Sequence, residues 1–241
     1  MTSATGPVGL ADESRVESVP APASRVQRRA ERAIWLLLAL LVVVGMAGLD
    51  QAFYEGVSLR LNTAHPIDLD FYTLTRPVWF VIRTAFAHVA GAAVAYALVV
   101  ALHRERWRAA NRLLLTIVAG ALLAFVLEGL IGRVRPNLAG GQLAFAPLDA
   151  LIHWRSRAVC FPSGEATMAF AMAVALASLF PGWRVAFYTL ATLASVARLV
   201  NGAHFLGDVA GGALLGLLAG RAVYAYLSTS GPRMLRACQS P

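Results

Sequence analysis

Six long apolar runs constrain this chain more than any other feature. They fall at about 33–50, 78–102, 111–131, 164–181, 184–200 and 206–227. Each is roughly as long as a helix must be to cross a bilayer core. Of the 241 residues, 58% are hydrophobic, too many for an ordinary soluble domain. The expected fold is all-α, an integral membrane bundle of six helices over residues 33–227. Residues 1–32 are rich in Ala, Ser, Pro, Glu and Arg and lack periodicity, so they read as a disordered cytoplasmic tail. They are too long and too acidic for a signal peptide. Residues 228–241 read as a second cytoplasmic tail.

The formal charge is +8, and every one of the 21 basic residues is arginine. These arginines gather in loops beside apolar runs, which reads as topology and argues against nucleic-acid binding. Arg25, Arg28, Arg29 and Arg32 before the first span place the N-terminus in the cytoplasm. Arg104, Arg106, Arg108 and Arg112 place the loop after the second span there too. An even number of spans returns the C-terminus, with Arg233 and Arg236, to the same side. Segments 51–77, 132–163 and 201–205 then lie outside. Arg133, Arg135, Arg155 and Arg157 run against the bias, and their clustering in one outer loop points to a binding task. Trp35, Trp79, Trp154 and Trp183 fall near span ends, as an interfacial aromatic belt requires. Gly212, Gly216 and Gly220 recur at four-residue spacing, which suits close helix packing. Cys160 and Cys238 fall on opposite sides, so no disulfide is expected between them.

Three polar segments stand out, because such groups are costly in a lipid-soluble chain. The first holds Arg198, His204 and Asp208. His204 and Asp208 are four apart, one helical turn. A carboxylate there can fix the imidazole tautomer and raise the nucleophilicity of the far nitrogen. Arg198 can fork an oxyanion. The second is Gly132-Arg133-Val134-Arg135-Pro136, at the outer end of the third span. The third is Phe161-Pro162-Ser163-Gly164-Glu165-Ala166, which opens the fourth. Ser163 can cap that helix, and the free amides of its first turn can hold a phosphate. All three segments fall on the outer face.

Over about residues 33–227 the chain resembles the type 2 phosphatidic acid phosphatase superfamily, in its bacterial membrane branch. The family signature is Lys, six residues, Arg-Pro; then Pro-Ser-Gly-His; then Ser-Arg, five residues, His, three residues, Asp. Here Glu128 precedes Arg135-Pro136 by the same interval, followed by Pro162-Ser163-Gly164-Glu165 and Ala197-Arg198, His204 and Asp208. Glu128 stands for the lysine, Glu165 for the histidine and Ala197 for the serine. A Glu at the Pro-Ser-Gly-x position is similar to some proteobacterial enzymes that look like lipid A 1-phosphatases.

The resemblance implies that His204 attacks phosphorus and forms a phosphohistidine. It implies that Asp208 orients His204, and that Arg135, Arg198, Ser163 and the Gly164 amide bind the phosphate; Arg133, close by in sequence, is a candidate to replace the missing cation. Glu165 would be a variant acid, donating a proton to the leaving oxygen and later accepting one from water. No metal or cofactor is implied.

Blander readings stand beside these. His204 and Asp208 can be a structural polar pair, and Glu165 a solvated first-turn carboxylate. Glu128 reads as a salt-bridge partner of Arg133 or Arg135. Arg155 and Arg157 divide between headgroup binding and loop charge. Arg83 and His88 read as structural or interfacial groups, Cys160 as a bystander, and Asp68 and Asp70 as loop solvation. The functional expectation is a phosphatase that hydrolyses a phosphate monoester or diphosphate on a lipid at the outer face of a bacterial inner membrane. The alternatives are a catalytically silent relative that binds anionic lipid, or a lipid phosphotransferase. The partners expected are the phosphorylated lipid and the membrane, without nucleic acid.

Overall fold

The first helix, α1 (Arg25–Val44), carries no charged residue from Ala33 to Val44 and runs on into a π-helical turn at Gly45–Leu49. The helix is kinked there, because Gly48 has φ +117°, a conformation glycine adopts freely. Helix resumes as α2 (Asp50–Phe53) and closes with a second π-helical turn, Tyr54–Ser58. The chain is seen here in a computed structural model, which describes residues 25–58, 71–139, 142–148, 152 and 158–237. Residues 1–24, Asp68, Asp70, Trp154, Arg155, Arg157 and Cys238 lie outside that set, as do the side chains of Arg25, Arg28, Arg233 and Arg236.

The second predicted span is two helices, α3 (Phe71–Ala87) and α4 (Val89–Leu102), bent by 58°. The break falls at His88, which is extended and accepts a hydrogen bond from the Ala90 amide at Nδ1 (3.3 Å), capping α4. Gly91 makes the bend sterically feasible: a Cβ there would meet the Ala85 carbonyl oxygen at 2.2 Å.

The remaining helices are α5 (Arg106–Ile131), α6 (Gly164–Leu179), α7 (Arg184–Val200) and α8 (Leu206–Ala237). A 3₁₀ turn at Pro181–Trp183 joins α6 to α7. The fold is all-α; among the described residues the extended pairings are isolated bridges, Arg133 with Phe145 and Val134 with Val159.

α6 is the central helix, packed against α3, α5, α7 and α8. It is apolar all round, the pattern of a helix surrounded by others, and Ala166, Ala169, Met172, Ala173 and Leu176 are buried. Phe86, Leu113 and Ile117 fill the core beside it. The expected glycine packing is present between α6 and α8. A Cβ at Gly212 would come within 2.4 Å of the Ser163 carbonyl, and one at Gly216 within 2.4 Å of the Thr167 carbonyl. Backbones in such close contact bring the first turns of α6 and α8 together, and that fixes the site.

Leu36, Leu40, Val81, Leu98 and Leu122 are exposed, an apolar exterior suited to lipid. Among the described residues, three helical stretches can cross a membrane by length and composition: Arg32–Gly56, Arg106–Ile131 and Leu206–Leu227. Counted as one span, the bent pair Pro77–Ala87 and Val89–Leu102 makes a fourth. α6 and α7, of 16 and 17 residues, are shorter, roughly 24–26 Å at 1.5 Å per residue. The count of six spans therefore does not follow from length and composition alone.

Candidate active site

The three polar segments meet at one end of the bundle, where α5 and α7 end and α6 and α8 begin. Gly132 terminates α5 in the left-handed region, φ +63°, the usual glycine cap. The backbone then runs antiparallel to the approach to α6: the Arg135 amide donates to Ala158 (3.0 Å) and the Cys160 amide to Arg133 (2.8 Å). Ser163 caps α6 as expected, its Oγ accepting from the Ala166 amide at 3.4 Å. Its own amide donates to the Asp208 carbonyl at 2.9 Å, tying α6 to α8.

His204 lies in the connection before α8 and is 2% exposed. Its Nδ1 is 3.0 Å from the carbonyl oxygen of Cys160. A carbonyl only accepts, so this bond requires the proton on Nδ1 and leaves the Nε2 lone pair bare. Asp208 was expected to set this tautomer. Its Oδ2 instead caps the first turn of α8 by accepting from the Phe205 amide (2.8 Å), and it lies 3.8 Å from Nδ1. Asp208 thus acts on the imidazole through charge at that distance, while the Cys160 carbonyl makes the short contact. Burial holds the His204 imidazole below its ordinary range, the neighbouring Asp208 opposing this in part. The neutral ring is the nucleophilic form. Burial also pushes the Cys160 thiol far up, so it remains protonated and donates to the Arg133 carbonyl at 3.3 Å.

Arg198, in the last turn of α7, is buried, with Nη1 3.5 Å from Glu165 Oε1. Glu165 also accepts from Arg83 of α3 at both oxygens, 2.7 and 2.9 Å, a two-nitrogen fork. Arg135 is half-buried and donates from Nε to the Val159 carbonyl at 3.0 Å.

Arg133 occupies a different place from the phosphate-binding one expected for it. It is fully buried, with Nη1 2.8 Å from Asp50 and 2.7 Å from Asp208, and its guanidinium carbon lies 4.2 Å from the centre of the Phe205 ring. Enclosed by two carboxylates and a ring, it supports Asp208 from behind. Removing one partner of such a buried pair costs about 3–5 kcal/mol. Glu128 was expected to pair with Arg133 or Arg135. Arg133 is committed elsewhere; the charge of Arg135 does act on Glu128, whose Oε1 accepts from the Gly164 amide at 3.3 Å. It thus places a carboxyl group at the helix N-terminus assigned to phosphate. Among the described residues no group of three or more His, Cys, Asp or Glu is placed to hold a metal ion.

Two further charged residues belong to this site beyond the candidates named above. Arg83 was read as structural or interfacial, although a cation inside an apolar run called for an anionic partner. Asp50, at the end of the first apolar run, gave the same kind of signal.

Residues 109–232, just over half of the chain, match the PAP2 superfamily. The chain belongs to the PAP2 superfamily. All three polar segments lie inside the matched region, whereas Asp50 and Arg83 lie outside it. The chain is similar to the lipid A 1-phosphatase of Rhizobium johnstonii, with 39% identity over 106 residues, 43% of this chain and 42% of that protein. It is similar also to the lipid A 1-phosphatase of Rhizobium etli, with 38% identity over 103 residues, 42% of this chain and 43% of that protein. The match thus spans less than half the length of these curated relatives. The crystal structure of a transmembrane PAP2-type phosphatidylglycerolphosphate phosphatase from Bacillus subtilis covers 82% of this chain and 95% of its own at a TM-score of 0.58. Their identity is 23%, a likeness of fold.

Proposed function

We propose that this chain is a membrane phosphatase that removes phosphate from a lipid through a phosphohistidine intermediate. The observation that carries this reading is the buried His204, with its proton held on Nδ1 by the Cys160 carbonyl, beside Arg198 and the capped start of α6. Nε2 attacks phosphorus and the bond from phosphorus to the lipid oxygen breaks. Arg198, Arg135, Ser163 and the Gly164 amide hold the phosphate oxygens, which gain charge in the transition state. Asp208 stabilises the imidazolium-like ring that forms.

The leaving oxygen then takes a proton from Glu165. A phosphate dianion competes with Glu165 for Arg83 and Arg198, and in drawing them off it frees the carboxyl to carry that proton. In the second step Glu165 accepts a proton from the water that hydrolyses the phosphohistidine, and free phosphate leaves. For phosphate to reach the Gly164 amide, Glu128 must give way. Glu128 also gives the silent-relative reading its one support, since its carboxyl group occupies the amide where substrate should bind.

Phosphate release from purified protein decides between them, using phosphatidate, a polyprenyl diphosphate and a bis-phosphorylated lipid A. Turnover of at least one, with free phosphate appearing and no acceptor lipid present, is the expected result. No turnover on any favours the silent relative, and phosphate appearing only on a second lipid favours a transferase.

The site is assigned to the outer face of a bacterial inner membrane, with both termini cytoplasmic; the arginines at 104, 106, 108 and 112 support this. A reporter active only outside the cytoplasm should be active when fused near residue 145 and silent near residue 108. The reverse pattern would overturn the orientation.

A further inference from the structure

Asp50 is fully buried, lies outside the region matched by the family, and is held on two sides. Its Oδ1 accepts from the Gly207 amide at 2.8 Å, in the first turn of α8, and its Oδ2 accepts from Arg133 Nη1 at 2.8 Å. Space for the carboxylate exists only because two neighbours are glycine: a Cβ at Gly45 would lie 2.7 Å from Asp50 Oδ2, and one at Gly207 2.6 Å. The kink at Gly48 sits between Gly45 and Asp50 in the chain.

The same Arg133 nitrogen that reaches Asp50 also reaches Asp208, at 2.7 Å. Arg133 Nε and Nη2 are buried and have no hydrogen-bond partner. The guanidinium therefore does not form the two-nitrogen fork on Asp208 that is its strongest mode of pairing. One nitrogen is shared between two carboxylates at nearly equal distance. With both carboxylates ionised, Asp50, Arg133 and Asp208 together carry one net negative charge, and the carboxylate nearest His204 belongs to Asp208.

We propose that Asp50 is a positioning residue for the nucleophile: by competing for Arg133 it keeps the negative charge of Asp208 available to His204. This rests on the reading of His204 as nucleophile. Without the Asp50 charge, Arg133 is free to turn and fork onto Asp208. That would neutralise Asp208 and draw its Oδ2 away from the Phe205 amide and the imidazole. The short helix α2, which carries Asp50, is then part of the apparatus that positions the nucleophile.

The test uses full-length protein in detergent and the lipid turned over fastest in the panel above. Asparagine is isosteric and retains an acceptor for the Gly207 amide. Asp50→Asn is expected to lower kcat by about 30- to 100-fold with KM changed less than about threefold, the signature of an interaction felt in the transition state. Asp50→Asn/Arg133→Gln removes the competing cation while leaving a neutral donor for Asp208, and should regain about tenfold or more of the lost kcat. A merely structural Asp50 predicts the opposite, since a second buried change would add to the damage.

Wild-type kcat in Asp50→Asn, or a loss the second substitution does not relieve, would overturn the inference and leave the phosphatase reading standing. Should Asp50→Asn not fold, the double variant decides: kcat within about tenfold of wild type supports the inference, and a lower value overturns it. A wild type without turnover on any lipid would overturn both readings together.

Discussion

His204→Ala is expected to abolish lipid phosphatase turnover, by on the order of 10⁴-fold or more, while the protein stays folded. The side chain makes one short hydrogen bond, to the Cys160 carbonyl, and lies in the connection before α8, so its removal breaks no bond between helices. Asp208→Asn should slow turnover by about 10²–10⁴-fold, because it removes the charge that stabilises the ring as it gains a bond to phosphorus. The pH profile follows from the neutral form being the nucleophile. Burial holds the imidazole below 6.5, helped by the positive charge of Arg198 and Arg135 and opposed by Asp208. The His204 contribution to the acid limb therefore lies below pH 6.5, and activity that depends on the neutral ring is lost as pH falls through the lowered value. Steady-state rates with folded, purified variants check all three. Substantial turnover by His204→Ala would refute the phosphohistidine route, and an acid limb well above pH 6.5 would refute the neutral, buried ring.

The polar segments of the site were legible because charge is expensive in an apolar chain and their spacing matches a helix terminus. Ser163 as cap, His204 one turn before Asp208, and Arg198 at the end of α7 could all be read from the order of residues. Contacts made by backbone could not: the carbonyl of Cys160, not the carboxylate of Asp208, makes the short contact to the imidazole, and any residue at position 160 would offer the same atom. Pairings across the bundle were hidden for another reason. Arg83 and Glu165 are 82 residues apart, and Asp50 and Arg133 are 83 apart. No local period encodes such a pairing; only a helix bent at His88 and another kinked at Gly48 bring the partners together. Arg133 and Arg135 show how fine the difference is. They stand two apart on one stretch, yet one guanidinium lies inside the protein against Asp50 and Asp208 while the other is half-buried. The glycines at 212 and 216, readable as packing residues, set the distance between α6 and α8 and so the position of Ser163 against Asp208.

Glu165→Gln should lose about 10²–10⁴-fold on lipid phosphates and much less on an activated aryl phosphate. A lipid alkoxide is a poor leaving group and needs a proton as the bond to phosphorus breaks; an aryl oxide with a low pKa does not. The geometry supplies a rival cause for any loss. Both Glu165 oxygens accept from Arg83, and Oε1 lies 3.5 Å from Arg198. Glutamine would break the fork, and the arginines would no longer be held as they are. That damage would fall on phosphate binding, so it would appear equally with both substrates and largely in KM. Arg83→Leu separates the two causes. If Glu165 carries the proton, losing Arg83 weakens phosphate binding but spares the difference between lipid and aryl substrates. If Glu165 only anchors Arg83, then Arg83→Leu reproduces Glu165→Gln on both. Rates for wild type and the two variants on one lipid and one aryl phosphate, with kcat and KM resolved, are the measurement. A substrate-selective loss in kcat confined to Glu165→Gln supports the acid role. Equal losses in both variants assign Glu165 to holding the arginines, and an unimpaired Glu165→Gln rejects both roles.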